Sequence, residues 1–460
     1  MVLYGIFAYV LLSLLIGIIV SRTIRTEDDY LVAGRSLGYT LSTFTIFATW
    51  FGAETCIGAA GAIYENGLSG GTADPFGYGL CLFVMGLVFA VPLWKLRLTT
   101  LADLFRHRFS HGVERLAVLM LVPTSMLWAA AQIRAFGQVI SASSGLEVSL
   151  TITMAAAVVI AYTMFGGLLA DAWTDVIQGI ALIIGLIILV AAFMTGGGAE
   201  QLAAIHPDRL DPFGGETVLG IIESWAIPVV GSVVAAELVS RIIAAKNPTV
   251  ARRSSLLAGI VYLGIGIVPV TIGLAGFQLL PDLAEPEQIL PIMAQRYLPP
   301  VLYMLFAGAL VSAILSTVDS ALLVASGLVS HNLIFPIRPN LSEGAKVRIA
   351  RGGVLVFGIV AYVAALYARG VYHLVEEASE FGSAGIFIVV VFGLFTRLGG
   401  VASAYATLVT GIVLWFLGAY VLGFPYPYLT SLGGALAAYL GGIAFEAISG
   451  PTRFTVRNSS

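Results

Sequence analysis

The chain has 460 residues, 58% of them hydrophobic and only 11% charged, with a mean hydropathy of +0.96 and a formal net charge of −3. Soluble domains carry about a quarter charged residues, so this composition excludes one and makes the lipid bilayer the chain's solvent. A charge so near zero, with no run of Lys or Arg, also excludes nucleic acid as a partner.

At roughly 20 apolar residues per span, spans and short loops consume the whole length, and one membrane domain covers 1–460. Apolar runs between polar or Gly/Pro breaks predict thirteen helices. In chain order they are 2–21, 38–66, 74–96, 113–144, 149–166, 169–195, 218–244, 252–279, 299–332, 346–368, 372–395, 399–422 and 430–449. The first lacks a basic leader and a small-residue cleavage site, and is expected to be retained as a helix. Between the third and fourth, 101–109 reads as a short amphipathic helix at the surface. Cys56 and Cys81 fall inside apolar runs and the five histidines are scattered, so neither a disulfide framework nor a zinc site is expected.

Placing the N-terminus outside and the C-terminus in the cytoplasm puts nearly all of the 23 basic residues on cytoplasmic loops, Arg22, Arg25, Arg241, Arg453 and Arg457 among them. Arg209, Arg296 and Arg369 face the other way, and Arg134 lies within the fourth span. The positive-inside rule therefore sets the topology of a multi-pass protein of the cell membrane.

Two spans are interrupted, the second at Thr49–Gly52 and the seventh at Ile227–Gly231 around Pro228. Each opens a block of five helices, and because five is odd the two blocks run in opposite orientations. Inverted repeats with broken helices expose backbone carbonyls to ions at mid-membrane. Gly and Pro also serve close helix packing, so the interruptions alone leave both readings open.

Five motifs carry a resemblance that runs from about Asp29 to Phe395. They are DYLVAGRSLG before the second span, FATWFGAETCIGAAGAIYENGL within and after it, GGLLADAWTDVIQ at the sixth, ELVSRIIAAK ending the seventh and ALVSAILSTVDSALLVAS in the ninth. In this order and spacing the chain resembles the sodium/solute symporter family. The resemblance implies an all-α integral membrane protein with a LeuT-type 5+5 inverted-repeat core. One helix and its loop (1–37) would precede a first repeat (38–195) and a second (218–396), with two further helices and a tail over 397–460. It implies secondary transport by alternating access, coupled to sodium, with no organic cofactor.

Carried over, the family's sodium site falls on Ala48, Phe51, Ala313, Ser316 and Thr317. Oxygen ligands suit a hard cation, and Ala313, Ser316 and Thr317 share one helix face at i, i+3, i+4. Asp175, Asp319 and Ser320 match a second cation or proton site, with Asp319 standing where the family pattern has a hydroxyl. That departure leaves a second sodium, a shared proton and a structural carboxylate pair all open. Intramembrane carboxylates are costly and mark functional sites by default. Glu54, Arg134, Glu223, Glu237, Glu376, Glu377 and Glu380 are the other ionisable groups in the spans. Arg134 either holds a solute carboxylate or pairs with a glutamate, and pairing is preferred because an unpaired arginine is expensive.

For the solute, FATW, Pro75–Tyr78, Leu127–Ala131 and ILPIMAQRYLPP most resemble the high-affinity choline transporter branch, which surrounds an ammonium with aromatic rings. The matching positions are Trp50, Tyr78 and Trp128, accompanied by Gly52, Gln132 and Glu237. A quaternary amine such as choline is the expected solute. The branch's further aromatic has no counterpart in Val233–Val239, where Glu237 stands instead, so an amino acid, betaine or monocarboxylate stays open. A solute-sensing receptor is the second class of function, weakened by the absence of a kinase segment before Ser460. No nucleophile and base set, zinc motif or phosphate loop supports an enzyme. Oligomeric state is not legible.

Overall fold

The computed structural model describes Leu11 and residues 26–163 and 168–449. The predicted helix 2–21, Arg22, Arg25, the end of the predicted fifth span at 164–166, and Arg453 and Arg457 lie outside the described residues. Among those described there is no strand. A lone parallel bridge joins Leu37 to Ala245, with Lys246 N–H donating to the Leu37 carbonyl at 2.8 Å.

After a surface helix α1 (Glu27–Val32), the first repeat opens with α2 (Tyr39–Ala48). The chain leaves the helix at 49–52 and re-enters a widened turn, Glu54–Ala59, that leads into α3 (Ala60–Asn66). Helix α4 (Tyr78–Val84) runs through a second widened turn into α5 (Ala90–Lys95), and α6 (Ala102–Arg108) is the expected surface helix. Then come α7 (His111–Ser144), α8 (Val148–Thr163) and α9 (Leu168–Phe193). The second repeat repeats the order. It has a broken pair, α10 (Val218–Ala226) and α11 (Ala236–Ala244), then α12 (Pro248–Leu279), a short α13 (Ile289–Tyr297), α14 (Pro300–Val329), α15 (Glu343–Tyr367) and the bent pair α16 (Val371–Glu380) and α17 (Ser383–Phe395). Helices α18 (Val401–Phe416) and α19 (Pro427–Ser449) follow.

Local chemistry fixes the ends. Ser110, Asn247 and Ser342 accept a hydrogen bond from the backbone N–H three residues on, at the starts of α7, α12 and α15. These caps start the fourth, eighth and tenth helices earlier than hydropathy alone placed them. Glu223 caps α19 by accepting from Tyr428 and Leu429 N–H, each at 2.7 Å, and Glu446 caps α18 from Gly400 N–H at 2.6 Å. Carboxylates from one helix here cap the N-terminus of another.

By length and composition, eight described helices can cross a membrane, ten if each bent pair is one span. The thirteen expected differ where the first lies outside the described residues, where α8 has only a short apolar stretch, and where Glu54–Lys95 runs on as one helical segment. That segment is divided by Gly67 (φ 74°) and by the extended backbone of Asp74. Two breaks shift from expectation. Ile227–Gly231 keeps a widened helical turn, and the chain leaves it at Ser232–Ala235, where Ala235 is extended (ψ 130°). The eleventh span, expected unbroken, bends by 43° at Phe381–Gly382, where Gly382 takes φ 67°. On α9, Ile177, Ile180, Ile184 and Ile187 form an exposed stripe at helical spacing, the face turned to lipid.

Candidate functional site

Breaking α2 at Ala48 frees carbonyls that a continuous helix would consume, and α14 passes alongside them. The Thr317 hydroxyl lies 2.8 Å from the Ala48 carbonyl oxygen and 3.2 Å from that of Ala313. Gly52 packs against the Ala313 backbone, and Phe51 beside it is fully buried. Ser316 points elsewhere. Its hydroxyl donates to Asp175 and lies 3.3 Å from Asp171 Oδ1.

Around Ser316 the structure assembles a buried charge layer. Asp171 and Asp175 share a face of α9, Asp319 and Ser320 come from α14, and Arg241 comes from α11. Arg241 Nη2 meets Asp171 Oδ2 at 2.7 Å with both side chains almost fully enclosed. Ser320 Oγ lies 2.5 Å from the same oxygen and also contacts Arg241. Asp319 faces the Thr163 hydroxyl. Asp175 Oδ2 and Asp319 Oδ1 have no hydrogen-bond partner among the described residues. The layer holds three carboxylates against one guanidinium, an excess of negative charge that suits a cation or protons. Asp171 and Arg241 were missed in the sequence. Arg241 counted as a loop residue because it ends an apolar run, yet it is completely buried and paired, which corrects that placement. Asp171, four residues before Asp175, carried the signal of a shared helix face.

The three aromatic residues come together. Trp50 stacks on Trp128 with ring centroids 6.0 Å apart, Trp50 and Tyr78 are 5.3 Å apart, and Tyr78 and Trp128 6.0 Å. All three are buried. The Tyr78 hydroxyl shares a 2.9 Å hydrogen bond with Ser379 of α16, which lies 3.1 Å from Ser232 in the second break. Trp128 is flanked along α7 by two polar neighbours of its own face. Gln132 donates its amide to Glu54, and Ser125 faces Glu237. The triad thus sits between two buried carboxylates.

Behind Glu54, Asp74 accepts from the Thr55 hydroxyl (2.9 Å) and the Tyr262 hydroxyl (3.1 Å). In the sequence Asp74 is simply the first residue of the predicted span 74–96. Glu54, Asp74 and Tyr78 line one small cavity, and Ala73, Tyr372 and Glu376 separate it from a vestibule of about 510 Å³. The vestibule opens at the end of the molecule that carries Glu65, Glu285 and Arg369. Arg134 lies at its wall, 3.6 Å from Glu287, the glutamate pairing expected of it. Glu380 accepts from Trp415 Nε1 at 2.7 Å and Glu377 from the Tyr420 hydroxyl, while Glu376 faces the vestibule.

A family model described as the sodium:solute symporter family matches residues 30–411. The human high affinity choline transporter 1 is 30% identical over 460 residues, spanning 94% of this chain and 78% of that protein. A sodium/proline symporter of Staphylococcus aureus is 27% identical, spanning 88% and 84%. The solved structure of a substrate-bound, outward-open Na+-coupled sialic acid symporter superposes with a TM-score of 0.83 at 19% identity, covering 97% of this chain and 98% of that one. That likeness establishes the LeuT-type fold. Motif order, fold and family match agree, and the chain belongs to the sodium:solute symporter family, as a multi-pass, sodium-coupled transporter of a small solute and not an enzyme.

Proposed function

We propose that the solute is a quaternary ammonium compound such as choline, held by Trp50, Tyr78 and Trp128. The observation that carries this reading is the closed aromatic triad at the first helix break. A poorly hydrated ammonium gains about 0.5–2 kcal/mol from each well-placed ring face. The choline transporters among the relatives support it. The proline symporter favours a second reading, an amino acid.

In this proposal Ala48, Phe51, Ala313 and Thr317 hold the coupling sodium. The excess carboxylate of Asp171, Asp175 and Asp319, with Ser316 and Ser320, takes a second cation or a proton. The acidic vestibule faces outside, and the basic end, with Lys95, Arg252, Arg253 and Lys346, faces the cytoplasm of a cell whose outer membrane leaflet the solute approaches. Solute enters from the vestibule past Tyr372 and Ala73, and sodium at the break favours the state that accepts it. Thermal stabilisation of purified protein by choline, glycine betaine, proline or a short monocarboxylate, in sodium and in potassium, tests the reading. Choline should stabilise in sodium, and Trp50→Ala and Trp128→Ala should each weaken it at least tenfold. Stabilisation by proline or the monocarboxylate with no response to any ammonium would replace it.

A further inference from the structure

The aromatic triad reads positive charge, but it does not say what else the solute carries. The polar atoms around it do. Glu54 has one oxygen taken up by the Gln132 amide, and its Oε2 has no hydrogen-bond partner among the described residues. Gln132 Oε1 is likewise unpartnered, and both residues are essentially inaccessible. Glu54 follows Trp50 by one helical turn and Gln132 follows Trp128 by one, and Glu54 lines a small cavity that Tyr78 also lines. Buried acceptors without donors are costly, and a ligand that supplies the donor removes that cost.

The same surroundings oppose a negative group. Asp74 stands behind Glu54, its carboxylate engaged by two neutral hydroxyls, and among the described residues neither Asp74 nor Glu54 enters an ion pair. On the other side of Trp128 lies Glu237. Arg241 is committed to Asp171, and Arg134 stands at the vestibule wall 3.6 Å from Glu287. A carboxylate-bearing solute would meet acidic side chains on both sides of the triad, and among the described residues no cationic side chain lines the small cavity beside it.

We infer that Glu54 and Gln132 are the specificity determinants of the solute site, accepting a hydrogen bond from a hydroxyl on the solute and excluding solutes that carry a carboxylate. The transported class is then a hydroxyl-bearing, carboxylate-free ammonium. This rests on the aromatic triad being the ammonium site and adds the second half of the solute. Sites built to receive a donor discriminate strongly against analogues lacking it, because the acceptors are left unpaired.

Three probes of similar head group separate the terms in the wild-type protein at saturating sodium. Choline has ammonium and hydroxyl, tetramethylammonium has the ammonium alone, and glycine betaine has ammonium and carboxylate. Choline should bind at least tenfold more tightly than tetramethylammonium, with betaine weaker than both. In Glu54→Gln and in Gln132→Leu, the ratio of choline to tetramethylammonium affinity should fall toward one. Equal binding of choline and tetramethylammonium by the wild type, or betaine binding as tightly as choline, overturns the inference and leaves the ammonium site standing. A ratio unchanged in both variants also overturns it. If none of the three binds, the ammonium reading itself falls and takes the inference with it. The wild-type panel decides the matter even where a variant fails to fold.

Discussion

Arg241 and Asp171 hold each other where neither could remain alone. Their 2.7 Å contact is enclosed on all sides, and removing one partner strands a charge in the membrane interior. Such a loss costs about 3–5 kcal/mol, whereas replacing both partners by apolar residues of similar volume is often close to neutral. Asp171→Leu should therefore lower the unfolding midpoint in detergent sharply, and Asp171→Leu/Arg241→Met should recover most of it. A double variant as unstable as the single one would mean that the pair acts through the serines around it. Other residues of the site were more legible. Thr317 meets the Ala48 and Ala313 carbonyls because the i, i+4 spacing and the break after Ala48 are both written in the chain. Ser316 was grouped with Thr317 on the same spacing, yet it turns to Asp175. One residue along a helix rotates a side chain by about 100°, enough to reach a different neighbour, and spacing does not reveal which neighbour is there. Glu54 was unreadable for the same reason, since its partner Gln132 is 78 positions away.

Short elements at the basic end are tied by a network that no single helix predicts. Asp103, in the first turn of α6, accepts from Thr99 N–H at 2.8 Å and Thr100 N–H at 3.0 Å, and it reaches Asn332 at 3.0 Å and His331 at 3.3 Å beyond α14. Burial pushes its carboxyl up, but the His331 hydrogen bond and charge and the two backbone amides outweigh it and hold the group at about 2. An unfolded aspartate titrates near 3.9, so the folded state binds its proton less readily. The stabilisation is full above about pH 4 and disappears as the pH falls through about 2, with a size of roughly 2–3 kcal/mol. The stability difference between wild type and Asp103→Asn should be flat above pH 5 and shrink between pH 4 and 2. A difference constant across that range would mean that the amide replaces the carboxylate's role. At this scale the breaks were only partly readable. Thr49–Gly52 was read as an interruption with a glycine at its end, whereas the bend at Gly382 lies next to an unbroken run and is marked by one glycine. The place where α10 gives way to α11 moved by a few residues because Pro228 is accommodated in a widened turn. Such a turn shifts backbone hydrogen bonds without ending the helix.

In the proposed sites, sodium and solute meet in one short piece of chain. The Ala48 carbonyl and the Trp50 ring belong to the same break of the first repeat, while Thr317 reaches it from the second repeat. The fold thereby joins the two proposed sites, which share no ligand, and composition made its membrane character plain before any motif was read. An ion that orders the break orders Trp50 with it, so occupancy of one site should raise affinity at the other. Linkage requires the effect to be reciprocal, by a factor typically about 5–150. Choline affinity measured with and without sodium, and sodium affinity with and without choline, should change by the same factor in the wild type. Thr317→Ala removes the hydroxyl 2.8 Å from the Ala48 carbonyl without touching the aromatic rings. It should weaken sodium at least tenfold, leave choline affinity in the absence of sodium unchanged, and let it return to the wild-type value once sodium is raised above its weakened affinity. Choline affinity that falls equally with and without sodium would show that Thr317 shapes the solute site by packing. Affinity that never responds to sodium in the wild type would remove Thr317 and Ala48 from the coupling altogether.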